Sequence, residues 1–244
     1  MALRCTTRNP ALQAKESRKA TAPLDCSAPL AMTKRGLVAT ASACAIHSLM
    51  NSAMLLTLAM SYLLGSIPFG LVLTRAFGKG DIRDIGSGNI GATNVLRTGS
   101  KRLAAATLLL DAAKGALAVW LAQRFSPGYE LHAAAGVLIG HLYPIWLRLR
   151  GGKGVATLLG ILIVLLPVAA AVYAGVWIAL LLVLRISSVA GMAAAASAPI
   201  SAAVLGDTIR FPLLAGLALL VVWKHRDNIR RLASGDEPRV GRAT

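Results

Sequence analysis

The sequence predicts an all-α integral membrane protein with seven transmembrane helices, its N-terminus outside and its C-terminus cytoplasmic. Three observations carry that expectation. Of 244 residues, 56% are hydrophobic and only 15% are charged, against about 25% charged in a soluble domain. The apolar residues arrive in long runs separated by short polar segments. The charge is one-sided, with 26 Lys and Arg against 10 Asp and Glu, and the cations gather between the runs as they do in cytoplasmic loops. A soluble enzyme, a nucleic-acid-binding domain and a disordered chain are excluded on these grounds. Nucleic acid is not an expected partner; membrane lipid is.

Residues 1–49 stand apart from this pattern. The first aromatic of the chain is Tyr62, and the segment sets seven Lys and Arg against Glu16 and Asp25. Such a composition cannot bury a core. It is expected to be a basic, disordered or transit-type leader, or a stretch ahead of a true start at Met50 or Met54. Residues 50–238 are expected to form the helical domain and 239–244 a tail. Cys5, Cys26 and Cys44 all lie in the leader without metal-ligand spacing, so neither a zinc site nor a disulfide framework is expected.

The spans follow in order. Met54–Arg75 reads as the first, Leu103–Gln123 as the second and Leu131–Leu147 as the third. Val155–Leu184 has no charge over about 30 residues, enough for one very long helix or two short ones. Ser187–Leu205 and Phe211–Trp223 complete the set. The distribution of cations decides between six spans and seven. Arg75, Lys79, Arg83, Arg97, Lys101 and Arg102 follow the first span, Arg148, Arg150 and Lys153 the third, and six cations from Lys224 to Arg242 the last. All three groups share the cytoplasmic side only if Val155–Leu184 crosses twice, turning near Pro167.

The polar chemistry lies on those same loops. Segment 78–102 places Gly86, Gly88 and Gly91 within six residues, interleaved with Ser87, Asn89, Thr93 and Asn94 and flanked by Arg83 and Arg97. Glycine lets backbone N–H groups converge, and Ser, Thr and Asn add donors. Arginine matches a phosphate bidentately. A flexible turn is the competing reading of the glycines. Gly151-Gly152-Lys153-Gly154 opens the next span and places an ammonium at a helix N-terminus, where the helix dipole also favours anions. Asp111 and Lys114, three apart inside the second span, are spaced to pair with each other. Arg185, Ser187 and Ser188 mark a further cytoplasmic turn. In the tail, His225 and Asn228 share one helical face, with Arg226, Arg230 and Arg231 placed to meet lipid headgroups. Together these segments predict a basic, donor-rich surface at the membrane boundary that holds anionic, phosphorylated small molecules.

The motifs GSIPFG (65–70), DIRDIGSGNIGATNVLR (81–97), LDAAKG (110–115), GHLYPIW (140–146), GGKGVAT (151–157) and WKHRDNIRRLASGDE (223–237) stand in one order. In that order the chain resembles the bacterial membrane-integral acyl-phosphate:glycerol-3-phosphate acyltransferases, the PlsY type, over about residues 54–238. The leader departs from that pattern. The resemblance implies a seven-helix fold in the bacterial inner membrane with the active site on the cytoplasmic side. It also implies transfer of a fatty acyl group from acyl phosphate to the sn-1 hydroxyl of glycerol 3-phosphate, giving lysophosphatidic acid and phosphate for phospholipid synthesis. By motif position Ser87, Arg97 and Lys153 would hold phosphate, and His225 and Asn228 would complete the glycerol 3-phosphate pocket. Gly86, Gly88 and Gly91 would receive the acyl phosphate, and Asn89, Thr93, Asn94, Arg83 and Ser188 would bind substrate as well.

An acyl phosphate is already an activated anhydride, so no cofactor, metal or covalent intermediate is expected. The sequence has no GxSxG elbow and no HxxxxD motif. The competing class is a membrane transporter of a phosphorylated metabolite, for which inverted repeats would be expected; none is visible.

Overall fold

The structure, a computed structural model, describes the backbone of residues 34–240 and the side chains of residues 50–240. The chain divides into two compact units, Met1–Met50 and Asn51–Thr244, and the account below concerns the second. The leader expected over 1–49 lies outside the described residues, except for the backbone of 34–49; so does the end of the tail beyond 240.

Among the described residues every regular element is helical. In chain order they are α1 (Lys34–Gly65), α2 (Phe69–Ala76), α3 (Ala92–Leu96), α4 (Lys101–Phe125), α5 (Glu130–Leu142), α6 (Val155–Leu165), α7 (Pro167–Leu184), α8 (Ser187–Val204), α9 (Phe211–Lys224) and α10 (Arg226–Ser234). Short 3-10 turns stand at Ile82–Asp84 and Ile145–Leu147. Among the described residues, four stretches are long and apolar enough to cross a membrane: Met50–Ala76, Lys101–Phe125, Pro167–Leu184 and Ser187–Val204. Val155–Leu165 and Phe211–Lys224 are apolar but shorter.

The first span stands where expected, within Met50–Ala76, and the third ends short of its expected bound. The first span is not one clean helix, because it breaks at residues 66–68 between α1 and α2. Pro68 has no N–H and disfavours a helical conformation in the residue before it. The freed carbonyls find donors from distant side chains: Trp146 Nε1 donates to Ser66 O at 2.8 Å and Lys114 Nζ to Ile67 O at 2.8 Å. The third helix stops at Leu142 rather than running to Leu147. Pro144 again ends it, and the chain continues as a 3-10 turn.

The apolar stretch 155–184 reverses direction as the charge pattern requires. α6 ends at Leu165 and Pro167 takes the first turn of α7, where its missing N–H costs nothing. A continuous helix would set residues 155 and 173 about 27 Å apart. Instead Tyr173 Oη donates to Val155 O at 2.9 Å.

With lipid as apolar as the side chains themselves, close packing rather than hydrophobic exclusion holds such helices together. Small residues supply it. A Cβ on Gly140 would fall 2.1 Å from Tyr62 O, and one on Gly160 1.9 Å from Ala112 O, so α1 meets α5, and α4 meets α6, backbone to backbone. Ala190, Ala194, Ala195, Ala198 and Ala202 give α8 a fully buried stripe.

Candidate active site

The glycine loop is shaped by one amide. Asn94 Nδ2 donates to Ile82 O and Ile85 O, each at 2.9 Å, and its Oδ1 accepts from Ser87 N at 3.1 Å. Asn94 is buried and its bonding capacity is used within the loop, so it acts as a clamp more than as a free donor. Gly86 has φ +57°, and a Cβ there would sit 2.5 Å from Arg97 Nη1 and 2.7 Å from Arg97 Cδ. Glycine at this position lets the Arg97 side chain lie across the loop.

The lysine loop is fixed from below. Gly151 N donates to Leu142 O and Gly152 N to His141 O. A Cβ on Gly152 would fall 2.1 Å from His141 Nε2. The loop therefore rests on the His141 ring and presents Lys153 in the turn that precedes α6. Lys153 Nζ donates to Asn228 Oδ1. Burial is the main cause that brings its ammonium down to about 8; the negative Glu237 opposes this, and Arg231 and Arg97 add to it.

Behind Asn228 lies a residue that the sequence reading passed over. Glu237 accepts from Ser188 Oγ at 2.6 Å, Asn228 Nδ2 at 2.6 Å and Arg231 Nε at 2.8 Å. Burial works to raise its carboxyl, but these three donors outweigh it and hold the group below the usual carboxylate range. Glu237 reaches the site because α10 ends at Gly235, φ +80°, and the chain folds back until Val240 N donates to Arg185 O at 2.7 Å. It stands in the sequence as one of three tail carboxylates, with Asp227 and Asp236, among six Lys and Arg. Arg231, which the sequence reading left to lipid headgroups, belongs to this network.

His225 is buried between α9 and α10. Its Nδ1 donates to Val221 O at 2.7 Å, which leaves Nε2 as an acceptor. Burial pushes its pKa down to about 4, the Val221 bond opposing and Lys153 assisting, so the ring is neutral near pH 7.

These groups surround one cavity of about 550 Å³, within the range of small-molecule sites. Ser87, Asn89, Gly91, Thr93, Asn94, Arg97, Lys153, Ser188, His225 and Asn228 all line it, as do Arg231 and Glu237. Asp111 and His141 stand in its wall as well. Three of the expected site residues are not brought to it. Gly86 and Gly88 shape the loop without lining the cavity. Arg83 instead turns to Asp81, its Nη2 2.6 Å from Oδ2 with the Arg83 side chain 41% exposed.

Chain order, helix breaks and converging cations are now joined by direct similarity. Residues 55–235 match the family model of the glycerol-3-phosphate acyltransferases. The chain belongs to that family, in its PlsY form. The glycerol-3-phosphate acyltransferase of Methylorubrum populi is 51% identical over 189 residues, 78% of this chain and 94% of that protein. That of Mesorhizobium japonicum is 52% identical over 192 residues, 79% and 98% of the two. The crystal structure of PlsY, an integral membrane glycerol 3-phosphate acyltransferase, in its glycerol 3-phosphate form superposes with a TM-score of 0.73 at 35% identity. It covers 77% of this chain and 96% of that one. The lysophosphatidic acid form of PlsY gives 0.71 at 34% identity. The matched region of this acyltransferase-family chain includes every element that lines the cavity up to Gly235, and Glu237 lies just past it.

Proposed function

We propose that the protein transfers a fatty acyl group from acyl phosphate to the sn-1 hydroxyl of glycerol 3-phosphate, in seven membrane spans with the cavity on the cytoplasmic side of a bacterial inner membrane. The observation that carries this is the convergence of Arg97, Lys153 and Arg231 with Ser87, Ser188 and Asn228 on one cavity. Two substrates each bearing a phosphate need that density of cations and donors. The relatives named for glycerol-3-phosphate acyltransfer, and a PlsY structure in its glycerol 3-phosphate form, support the acceptor.

The transfer is direct. The acceptor hydroxyl attacks the acyl carbon, the acyl–oxygen bond to phosphate breaks, and inorganic phosphate leaves with the bridging oxygen. Lys153 and Asn228 hold the acceptor phosphate, while Arg97 and the loop from Ser87 to Asn94 hold the donor phosphate. Charge that develops on the leaving phosphate and on the tetrahedral oxygen is met by donors already in place. Fixing two reactants side by side supplies up to roughly 7–11 kcal/mol of the barrier reduction. His225, with a pKa near 4, is too weak a base to remove the hydroxyl proton at neutral pH. Its bare Nε2 orients the hydroxyl, and a phosphate oxygen of the acceptor takes the proton. The test is turnover by purified protein in detergent with palmitoyl phosphate. Phosphate and 1-acyl lysophosphatidic acid are expected in equal amounts and only when glycerol 3-phosphate is present; a transporter would release neither.

A further inference from the structure

The glycine loop and the lysine loop are supported from different parts of the chain. Behind the glycine loop lies an apolar cluster of its own, in which Leu71 of α2 packs with Ile82, Ile90, Val95, Leu103 and Ala104. A Cβ on Gly70 would overlap Ile90 O, so the first turn of α2 meets the loop backbone directly. The chain enters α2 through the break at residues 66–68, and Ser66 there is 1% exposed. A carbonyl buried in that way needs a donor, and Trp146 Nε1 supplies one to Ser66 O at 2.8 Å. Leu147, the next residue, packs against the cluster behind the loop. The lysine loop is held separately, through the bonds from Gly151 N and Gly152 N to Leu142 O and His141 O. Trp146 itself does not line the cavity and is 49% exposed. Its indole N–H, more than the burial of its ring, ties it to the fold.

We propose that Trp146 is a positioning residue for the donor half of the site. Its indole N–H fixes the break, the break sets α2, and α2 carries the glycine loop on Gly70 and Leu71. The proposal rests on the acyl transfer described above, with the donor phosphate on the glycine loop and Arg97 and the acceptor phosphate on Lys153 and Asn228. Without the N–H, the buried Ser66 carbonyl must find another donor, and residues 66–68 move to reach one. α2 shifts with them, Ile90 follows, and the donors of the loop no longer converge on the donor phosphate. The lysine loop does not depend on this bond, so the acceptor phosphate keeps its partners.

Trp146→Phe keeps an aromatic ring in place and removes the donor. The KM for palmitoyl phosphate should rise about tenfold, the effect of one lost hydrogen bond. The KM for glycerol 3-phosphate should stay within about twofold of wild type, because its contacts lie on independent supports. A reacting group displaced by a fraction of an ångström should also lower kcat, by about 10–100-fold. Gly70→Ala, whose methyl pushes on Ile90 O, should raise the same KM and leave the other. Trp120→Phe removes an indole that is 52% exposed on α4 and should change neither KM by more than about twofold. A palmitoyl phosphate KM within about twofold of wild type in Trp146→Phe would overturn the proposal, and so would a parallel rise in both KM values. A fall in kcat alone that follows the folded fraction, as a merely structural bond would give, would overturn it as well. Failure of the wild-type protein to transfer an acyl group from palmitoyl phosphate would instead count against the acyl transfer itself.

Discussion

Replacing Lys153 by Met separates the cost of this residue to the empty protein from its use with substrate. Its pKa of about 8 lies roughly 2.5 units below an ordinary lysine, which corresponds to on the order of 3 kcal/mol. The folded state binds the proton less tightly than the unfolded chain does. The destabilisation is therefore complete below pH 8 and fades as pH rises toward the ordinary lysine value. Methionine keeps most of the volume without the charge, and the loss of the bond to Asn228 gives back about 1 kcal/mol. The empty variant should thus be as stable near pH 7 as wild type, or more stable by about 1–2 kcal/mol. Its activity should move the other way. A charged bond to a desolvated phosphate contributes roughly 1.5–3 kcal/mol, or about 10–150-fold, and more where it tightens in the transition state. Thermal unfolding without substrate and kcat/KM for glycerol 3-phosphate on the same preparation check both halves. A variant that melts several degrees lower, and whose activity falls only as far as its folded fraction, would refute the reasoning.

Four further outcomes follow from the same geometry. The KM for glycerol 3-phosphate should rise as pH passes about 8, where the Lys153 ammonium loses its proton, and Lys153→Arg should move that rise beyond about pH 10; a wild-type KM flat to about pH 10 would count against a buried lysine contact. Gly86→Ala should lower kcat/KM by about 100-fold or more, since the added methyl meets Arg97 at a positive φ, whereas Gly78→Ala, with open space around it, should cost only about 1 kcal/mol in stability. Arg231→Ala should cost about tenfold through the freed Glu237 carboxylate, while Arg230→Ala, 78% exposed against Asp227, should stay within about twofold. Cysteines placed at Ser100 and Ala233 should label only from the cytoplasmic side, and labelling of either from outside contradicts the seven-span arrangement.

The sequence shows the apolar runs, the reversal near Pro167 and most of the cavity residues because each is written locally, as a charge-free stretch, a charge asymmetry or a cluster of glycines. Two features were hidden for physical reasons, and a third was legible but misjudged. The break at residues 66–68 lies within a continuous apolar run, and its stability comes from Trp146 and Lys114, both distant in sequence. Glu237 and Arg231 join the site only because the chain folds back after Gly235, which no periodicity records. Arg83 read as a phosphate ligand by its place beside the glycines, but Asp81 two residues earlier takes its guanidinium. That local pairing was visible in the sequence and was outweighed by the appeal of a cation beside a glycine loop.

Rapid mixing of the purified protein with palmitoyl phosphate, with and without glycerol 3-phosphate, tests direct transfer at this cavity most closely. Without the acceptor no phosphate should be released in the first turnover and no acyl group should remain on the protein. With the acceptor, phosphate and lysophosphatidic acid should form together from the start. A burst of phosphate equal to the amount of protein in the absence of glycerol 3-phosphate, with acyl label bound to the chain, would contradict direct attack and point to a covalent intermediate.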